Sequence, residues 1–148
     1  MAKPLTEANF DTIINECIAV RVRLLNRVVT KIFDDSLRPL GVKVSQLNIL
    51  VAAWKLDVAN PQRVCEILHL DPSTLSRNVE RMRVSGWLEV VPGDDARQQP
   101  FRITTQGKTL LSKAVPAWEK AQARAAKLLG KEVIGSLKKT AKGLGLPG

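Results

Sequence analysis

The chain of 148 residues has no tyrosine, a single histidine, His69, and two cysteines, Cys17 and Cys65. Zinc sites of the common kinds gather three or four Cys, His or acidic ligands, and no such spacing occurs here. Two cysteines build no disulfide framework and fit a reducing compartment. No apolar run approaches the roughly 18 residues a transmembrane helix needs. The opening stretch MAKPLTEANF lacks the apolar core of a signal peptide, so the chain is expected to stay in the cytoplasm. There is no GxSxG, P-loop or GxGxxG motif. His69 precedes a turn and reads as a surface or capping residue rather than a base. Neither an enzyme nor a cofactor or metal protein is expected.

What the chain does have is apolar content of 45% and a net charge of +9, with a pI near 10.0. The first argues for a folded core. The second points to an anionic partner, nucleic acid before membrane. The charge is uneven: from Lys113 to Gly148 there are eight Lys or Arg against two Glu.

From about Thr6 to Leu37 the spacing of Ile14, Ile18, Val22, Leu25, Val29 and Phe33 predicts one long helix. Val28 and Ile32 widen the stripe, so the helix is expected to be buried on more than one side. Arg38-Pro39 stops it, since the residue before proline disfavours the helical region, and Gly41 turns the chain. Ser45 reads as the cap of a helix burying Leu47, Leu50, Val51 and Trp54. Asn60-Pro61 starts a short helix burying Val64, Ile67 and Leu68, with Cys65 packed between helices. Asp71-Pro72 starts another, with Leu75, Val79 and Met82 inward and Gly86 ending it. Joined only by His69-Leu70-Asp71, these two form a helix-turn-helix.

Trp87 to Val91 alternates like a strand, Pro92 to Asp95 turns the chain, and Phe101 to Ile103 returns, with Pro100 at an edge. Thr104 caps a helix expected to bend at Pro116 and run to Leu129. A final helix uses Val133, Ile134 and Leu137, and the tail from Lys138 onward is expected to fray. The predicted fold is mainly α with a small β-hairpin (α+β). A winged helix-turn-helix lobe spans residues 45–104, flanked by dimerisation helices at 6–38 and 105–142. The flanking helices carry apolar faces that so small a domain cannot cover alone, which predicts a symmetric homodimer.

On VSQLNIL at 44–50, LDPSTLSRNVERM at 70–82, SGWLE at 85–89, DAR at 95–97 and RITTQG at 102–107, the chain resembles the MarR family of transcriptional regulators over nearly its whole length. The family's wing pattern is matched by Asp95, Arg97, Ile103, Thr104 and Gly107. The resemblance implies a homodimeric repressor on the double-stranded DNA of a pseudo-palindromic operator, with residues 72–85 as recognition helix. Ser73, Thr74, Ser76, Arg77, Asn78 and Arg81 would meet bases and phosphates in the major groove. Arg97 would enter the minor groove, its guanidinium held by Asp95. Arginine forks suit guanine and asparagine suits adenine. Arg83 reads instead as solvated.

The family's organic-peroxide sensors pair an N-terminal cysteine with tyrosines, and this chain has none. What remains is the type released by a small aromatic or anionic ligand held between the dimer helices and the DNA-binding lobe. Arg21, Arg23, Trp54 and Trp118 are candidates for it. The rival reading is a winged-helix protein-interaction module, because residues 73–102 carry five basic against four acidic residues, and fold alone does not decide function.

Overall fold

The computed structural model describes residues 1–93 and 98–145. Their order is α1 (Glu7–Glu16), α2 (Ile18–Leu37), a 3-10 turn (Arg38–Leu40), α3 (Val44–Leu56), α4 (Pro61–Leu68), α5 (Pro72–Val84), β1 (Leu88–Val90), β2 (Phe101–Ile103) and α6 (Thr105–Gly143). This is the expected mainly helical architecture with one hairpin. The strands pair antiparallel, Leu88 opposite Ile103 and Val90 opposite Phe101.

The main core gathers under the helix-turn-helix. Leu37, Ile49, Leu50, Val64, Leu75, Met82, Leu88 and Phe101 are fully buried and come from every α-helix and strand from α2 to β2. A Phe101→Ala change there would cost about 3–5 kcal/mol, transfer plus cavity. A smaller cluster joins Phe33 of α2 to Ala121 and Ala125 of α6, with Val29 and Ile32 alongside. Alanines on α6 let the two helix backbones approach closely, and α2 against α6 is the main helix pairing outside the lobe.

Three glycines are used for their backbone. Gly41 (φ 68°) and Gly86 (φ 79°) end helical segments in the left-handed region, as expected. Gly130 (φ 79°, ψ 159°) interrupts α6. The break between the two expected C-terminal helices therefore lies at Gly130, and Pro116 sits inside continuous helix.

The structure corrects several expectations. The long N-terminal helix is broken: Cys17 takes an extended conformation (φ −67°, ψ 111°) between α1 and α2. Within one chain its apolar stripe is mostly exposed. Ile14, Ile18, Val22 and Leu25 face solvent and only Phe33 and Leu37 are buried. The cap of α3 is Lys43, not Ser45. Its first free amides are satisfied from elsewhere: Lys43 N–H donates to Gln46 Oε1 at 3.0 Å, and Val44 N–H to Asp34 Oδ1 of α2 at 2.8 Å. The buried face of α3 carries Ile49, Ala52 and Ala53 with Leu47 and Leu50, whereas Val51 and Trp54 are exposed. The C-terminal tail stays helical to Gly143 instead of fraying from Lys138.

Candidate nucleic-acid interface

Two proline-initiated helices place the candidate surface. Asn60 caps α4, its Oδ1 accepting the amides of Gln62 (2.9 Å) and Arg63 (3.4 Å). The α4 helix ends at His69, which is exposed and adopts φ 50° and ψ 46°. Leu70 N–H donates to Cys65 O at 3.0 Å, closing the turn. Two residues later Asp71 caps α5. Its carboxylate accepts the Thr74 amide at 2.9 Å and the hydroxyls of Ser73 and Thr74, each at 2.5 Å. These bonds, above all the one from Ser73, hold the Asp71 carboxyl well below the usual carboxylate range.

On α5, Leu75 and Met82 are buried and Val79 is half-buried. The opposite face is open. Ser73, Ser76, Arg77 and Arg81 are exposed, and Thr74 and Asn78 are half-buried. Arg77 and Arg81 lie one turn apart on one side of the helix. Among the described residues no carboxylate lies within ion-pair distance of either. Arg83 differs: Glu80 engages it through two parallel hydrogen bonds of 2.8 Å. Pairing raises the Arg83 pKa and lowers that of Glu80. Three candidate side chains are already engaged at α5, the first being Ser73, whose hydroxyl is held by Asp71. The Thr74 hydroxyl serves Asp71, and Asn78 Nδ2 donates to Thr74 O at 2.9 Å.

The hairpin is fixed at its root on both sides. Across it, Glu89 and Arg102 form an ion pair. On its other side Ala59, in the α3–α4 connection, bridges Phe101: Ala59 N–H donates to Phe101 O at 2.7 Å and Phe101 N–H to Ala59 O at 3.0 Å. Asn60 Nδ2 donates to Gln98 Oε1 at 2.9 Å. That tie between α4 and the wing joins residues 38 positions apart, and no local sequence signal announces it. The wing-tip residues Asp94, Asp95, Ala96 and Arg97 lie outside the described residues, so Asp95 and Arg97 have no geometry here.

Between α4, α5 and the hairpin root lies a cavity of about 450 Å³, walled by Cys65, Leu75, Val79 and Phe101 and rimmed by Gln62, Ser76, Glu80 and Gln98. Burial pushes the Cys65 thiol up, which keeps it protonated and poorly nucleophilic. Trp54 and Trp118 are exposed, and neither they nor Arg21 and Arg23 line this cavity. Among the described residues no group of three His, Cys, Asp or Glu is placed to hold a metal. No helix is long and apolar enough to cross a membrane.

The arrangement, a cationic helix face beside a hairpin anchored at its root, matches proteins of known structure. No family model matches the chain. It is 20% identical over 95 residues to an uncharacterised HTH-type transcriptional regulator of Bacillus subtilis, YwoH, covering 64% of this chain and 69% of that protein. Against the multiple antibiotic resistance protein MarR of Escherichia coli it is 24% identical over 90 residues, spanning 60% of this chain and 62% of MarR. Among solved structures, a mutant E. coli MarR in complex with operator DNA superposes with a TM-score of 0.78 at 20% identity, over 92% of this chain and 98% of that one. The Mycobacterium tuberculosis regulator MosR, in complex with DNA, gives 0.72 at 29% identity over 87% and 98%. Bordetella bronchiseptica BpsR, whose DNA binding is regulated by 6-hydroxynicotinic acid, gives 0.77 at 16% identity over 97% and 98%.

Proposed function

The chain belongs to the MarR family, and on that premise we propose that it is a homodimeric, sequence-specific DNA-binding transcriptional regulator, a repressor released by a small molecule. The observation that carries this reading is the open face of α5, where Arg77 and Arg81 stand exposed one turn apart. A guanidinium with no carboxylate partner among the described residues is available for base edges or phosphates. MarR and MosR, with the same fold, are known in complex with DNA, and this supports a DNA partner here. Such a protein works beside DNA in the cytoplasm and catalyses no reaction.

The dimer is supported by apolar surface that one chain leaves uncovered. Phe10, Ile13, Ile14, Ile18, Val22 and Leu25 at one end, and Val115, Trp118, Leu128 and Leu137 at the other, are 40–77% exposed. Monomers rarely leave so much in contiguous patches. Two copies would set their recognition helices about one helical turn apart, roughly 34 Å, on a pseudo-palindromic site. A small-molecule ligand is supported by BpsR, whose DNA binding is regulated by 6-hydroxynicotinic acid; here a ligand acts by favouring a dimer whose lobes are wrongly spaced, a population shift.

The test is selection of bound fragments from the host genome, followed by titration at several salt concentrations. A palindromic consensus and a steep fall in affinity with salt are expected. Binding to a protein partner with no salt-dependent affinity for duplex DNA would leave the interaction-module reading in its place.

A further inference from the structure

Two aspartates stand side by side near the end of α2 and have different tasks. Asp35 is engaged locally: Lys31 pairs with it at 2.6 Å, and Arg38 closes on its other oxygen. Among the described residues no cation lies within ion-pair distance of Asp34. Its Oδ1 instead accepts the Val44 amide at 2.8 Å, ten residues on and in another helix.

Val44 is the first residue of α3. The residue before it, Lys43, has no side-chain acceptor to offer a helix amide, so α2 supplies one. Val44 also packs against both apolar clusters. One is the lobe core with Leu47, Leu50 and Phe101, and the other is the stem cluster of Phe33, Ala121 and Ala125. Among the described residues no other hydrophobic side chain belongs to both. The stem, α2 against α6, and the DNA-facing lobe therefore meet at Val44.

The two kinds of contact there act differently. Apolar packing attracts without direction and leaves the angle between lobe and stem soft. A hydrogen bond weakens steeply off its line, and this one is charge-assisted and sits at a helix N-terminus, where the dipole favours it. The α3 helix is 13 residues long, and α4 and β2 pack on it. At about 20 Å of length, a tilt of about 10° at Val44 moves its far end by about 3 Å, close to one base-pair step.

We propose that Asp34 is a positioning residue for operator binding. Through the Val44 amide it fixes the angle of the lobe on the stem, and so the separation of the two recognition helices, while touching no DNA itself. The inference rests on the reading of the chain as a dimeric DNA-binding regulator and adds to it the joint that sets its spacing.

The experiment uses full-length chains and duplexes built from the selected operator: the operator itself, versions with one base pair added or removed between half-sites, and a single half-site. The variants are Asp34→Ala, Asp34→Asn, and Val44→Pro with and without Asp34→Ala. Proline suits the first position of a helix and removes the donor, and Lys43 before it is already extended. The parent is expected to prefer its own spacing. Asp34→Ala is expected to bind the operator about tenfold more weakly, the loss of one charge-assisted bond. It should lose most of the spacing preference and bind the half-site as the parent does. Asp34→Asn, which keeps an acceptor, is expected to stay close to the parent. In the Val44→Pro chain, Asp34→Ala is expected to have no further effect.

If Asp34→Ala weakens operator and half-site alike with the spacing preference intact, Asp34 only supports the fold and the proposal is overturned. Parental behaviour of Asp34→Ala overturns it too, as does an Asp34→Asn chain that fails in the same way, or a further loss in the Val44→Pro chain. In each of these cases the DNA-binding reading stands. A parent without salt-dependent affinity for duplex DNA overturns that reading and the joint together.

Discussion

The hydroxyl of Thr104 donates to the backbone carbonyl of Gly86 at 2.6 Å. The same oxygen accepts the Gly107 amide at 3.0 Å, so one side chain both starts α6 and holds the glycine that ends α5. Three elements meet at that atom. Thr104→Val keeps the shape and removes both bonds, leaving a half-buried carbonyl and a helix amide without partners. The expected loss is about 1–3 kcal/mol, read as a lower urea midpoint, with Thr104→Ser losing much less.

Gly107 is the tightest point of the same junction. A Cβ there would lie 2.3 Å from Trp87 O and 2.7 Å from Ile103 Cγ1. Gly107→Ala is expected to cost at least about 1–3 kcal/mol by overpacking and to loosen the hairpin root. Gly135, in the same helix, has nothing within 4 Å of its added Cβ. Gly135→Ala is therefore expected to stabilise by about 0.5–1 kcal/mol, so thermal melts of the two should move in opposite directions.

Asp71 gives the fold an acid-side dependence. Its carboxyl is held below the ordinary value of 3.8 by bonds that only the ionised form accepts fully. The stabilisation it gives the start of α5 is complete above the ordinary value and is lost as pH falls from there through the lower folded value. Acid titration of helicity should show this loss in the parent. In Asp71→Asn the same step should be missing from the profile, and unchanged acid profiles would count against the cap.

Arg77 and Arg83 make a paired test of the proposed interface. Arg77→Ala should cost about 1–3 kcal/mol of operator affinity and relax base preference. Arg83→Ala, whose guanidinium is held by Glu80, should leave both unchanged in the same gel-shift series. Arg97→Ala should weaken binding chiefly at A/T-rich flanks; equal losses on G/C-rich flanks would remove the minor-groove role.

The helix-turn-helix was legible because its signals are local. Asn60-Pro61, Asp71-Pro72, Gly86 and Thr104 each act within three residues, and the structure finds each acting as a cap or helix terminator. The errors lie where distant residues decide. Ser45 looked like the cap of α3, but Asp34 reaches across from α2 to serve Val44, so the helix begins two residues earlier. Val51 and Trp54 looked like core, but α3 turns its alanines inward, where only small side chains fit between it and its neighbours. The break at Cys17 carries no glycine or proline and left no mark in the apolar spacing. On the candidate surface, the sequence reading set Arg77 apart from a solvated Arg83; the pairing of Arg83 with Glu80 and the internal bonds of Ser73, Thr74 and Asn78 emerge only with the helix in three dimensions.

The bridge between Ala59 and Phe101 covers the outer edge of β2 at Phe101, while β1 flanks the strand on the other side. A two-stranded hairpin on its own exposes two rows of unpaired backbone groups and invites strands from other molecules. Here a single residue of loop satisfies both backbone groups of Phe101 with two hydrogen bonds. The middle of the molecule's short sheet is thereby less open to strands of other copies at Phe101.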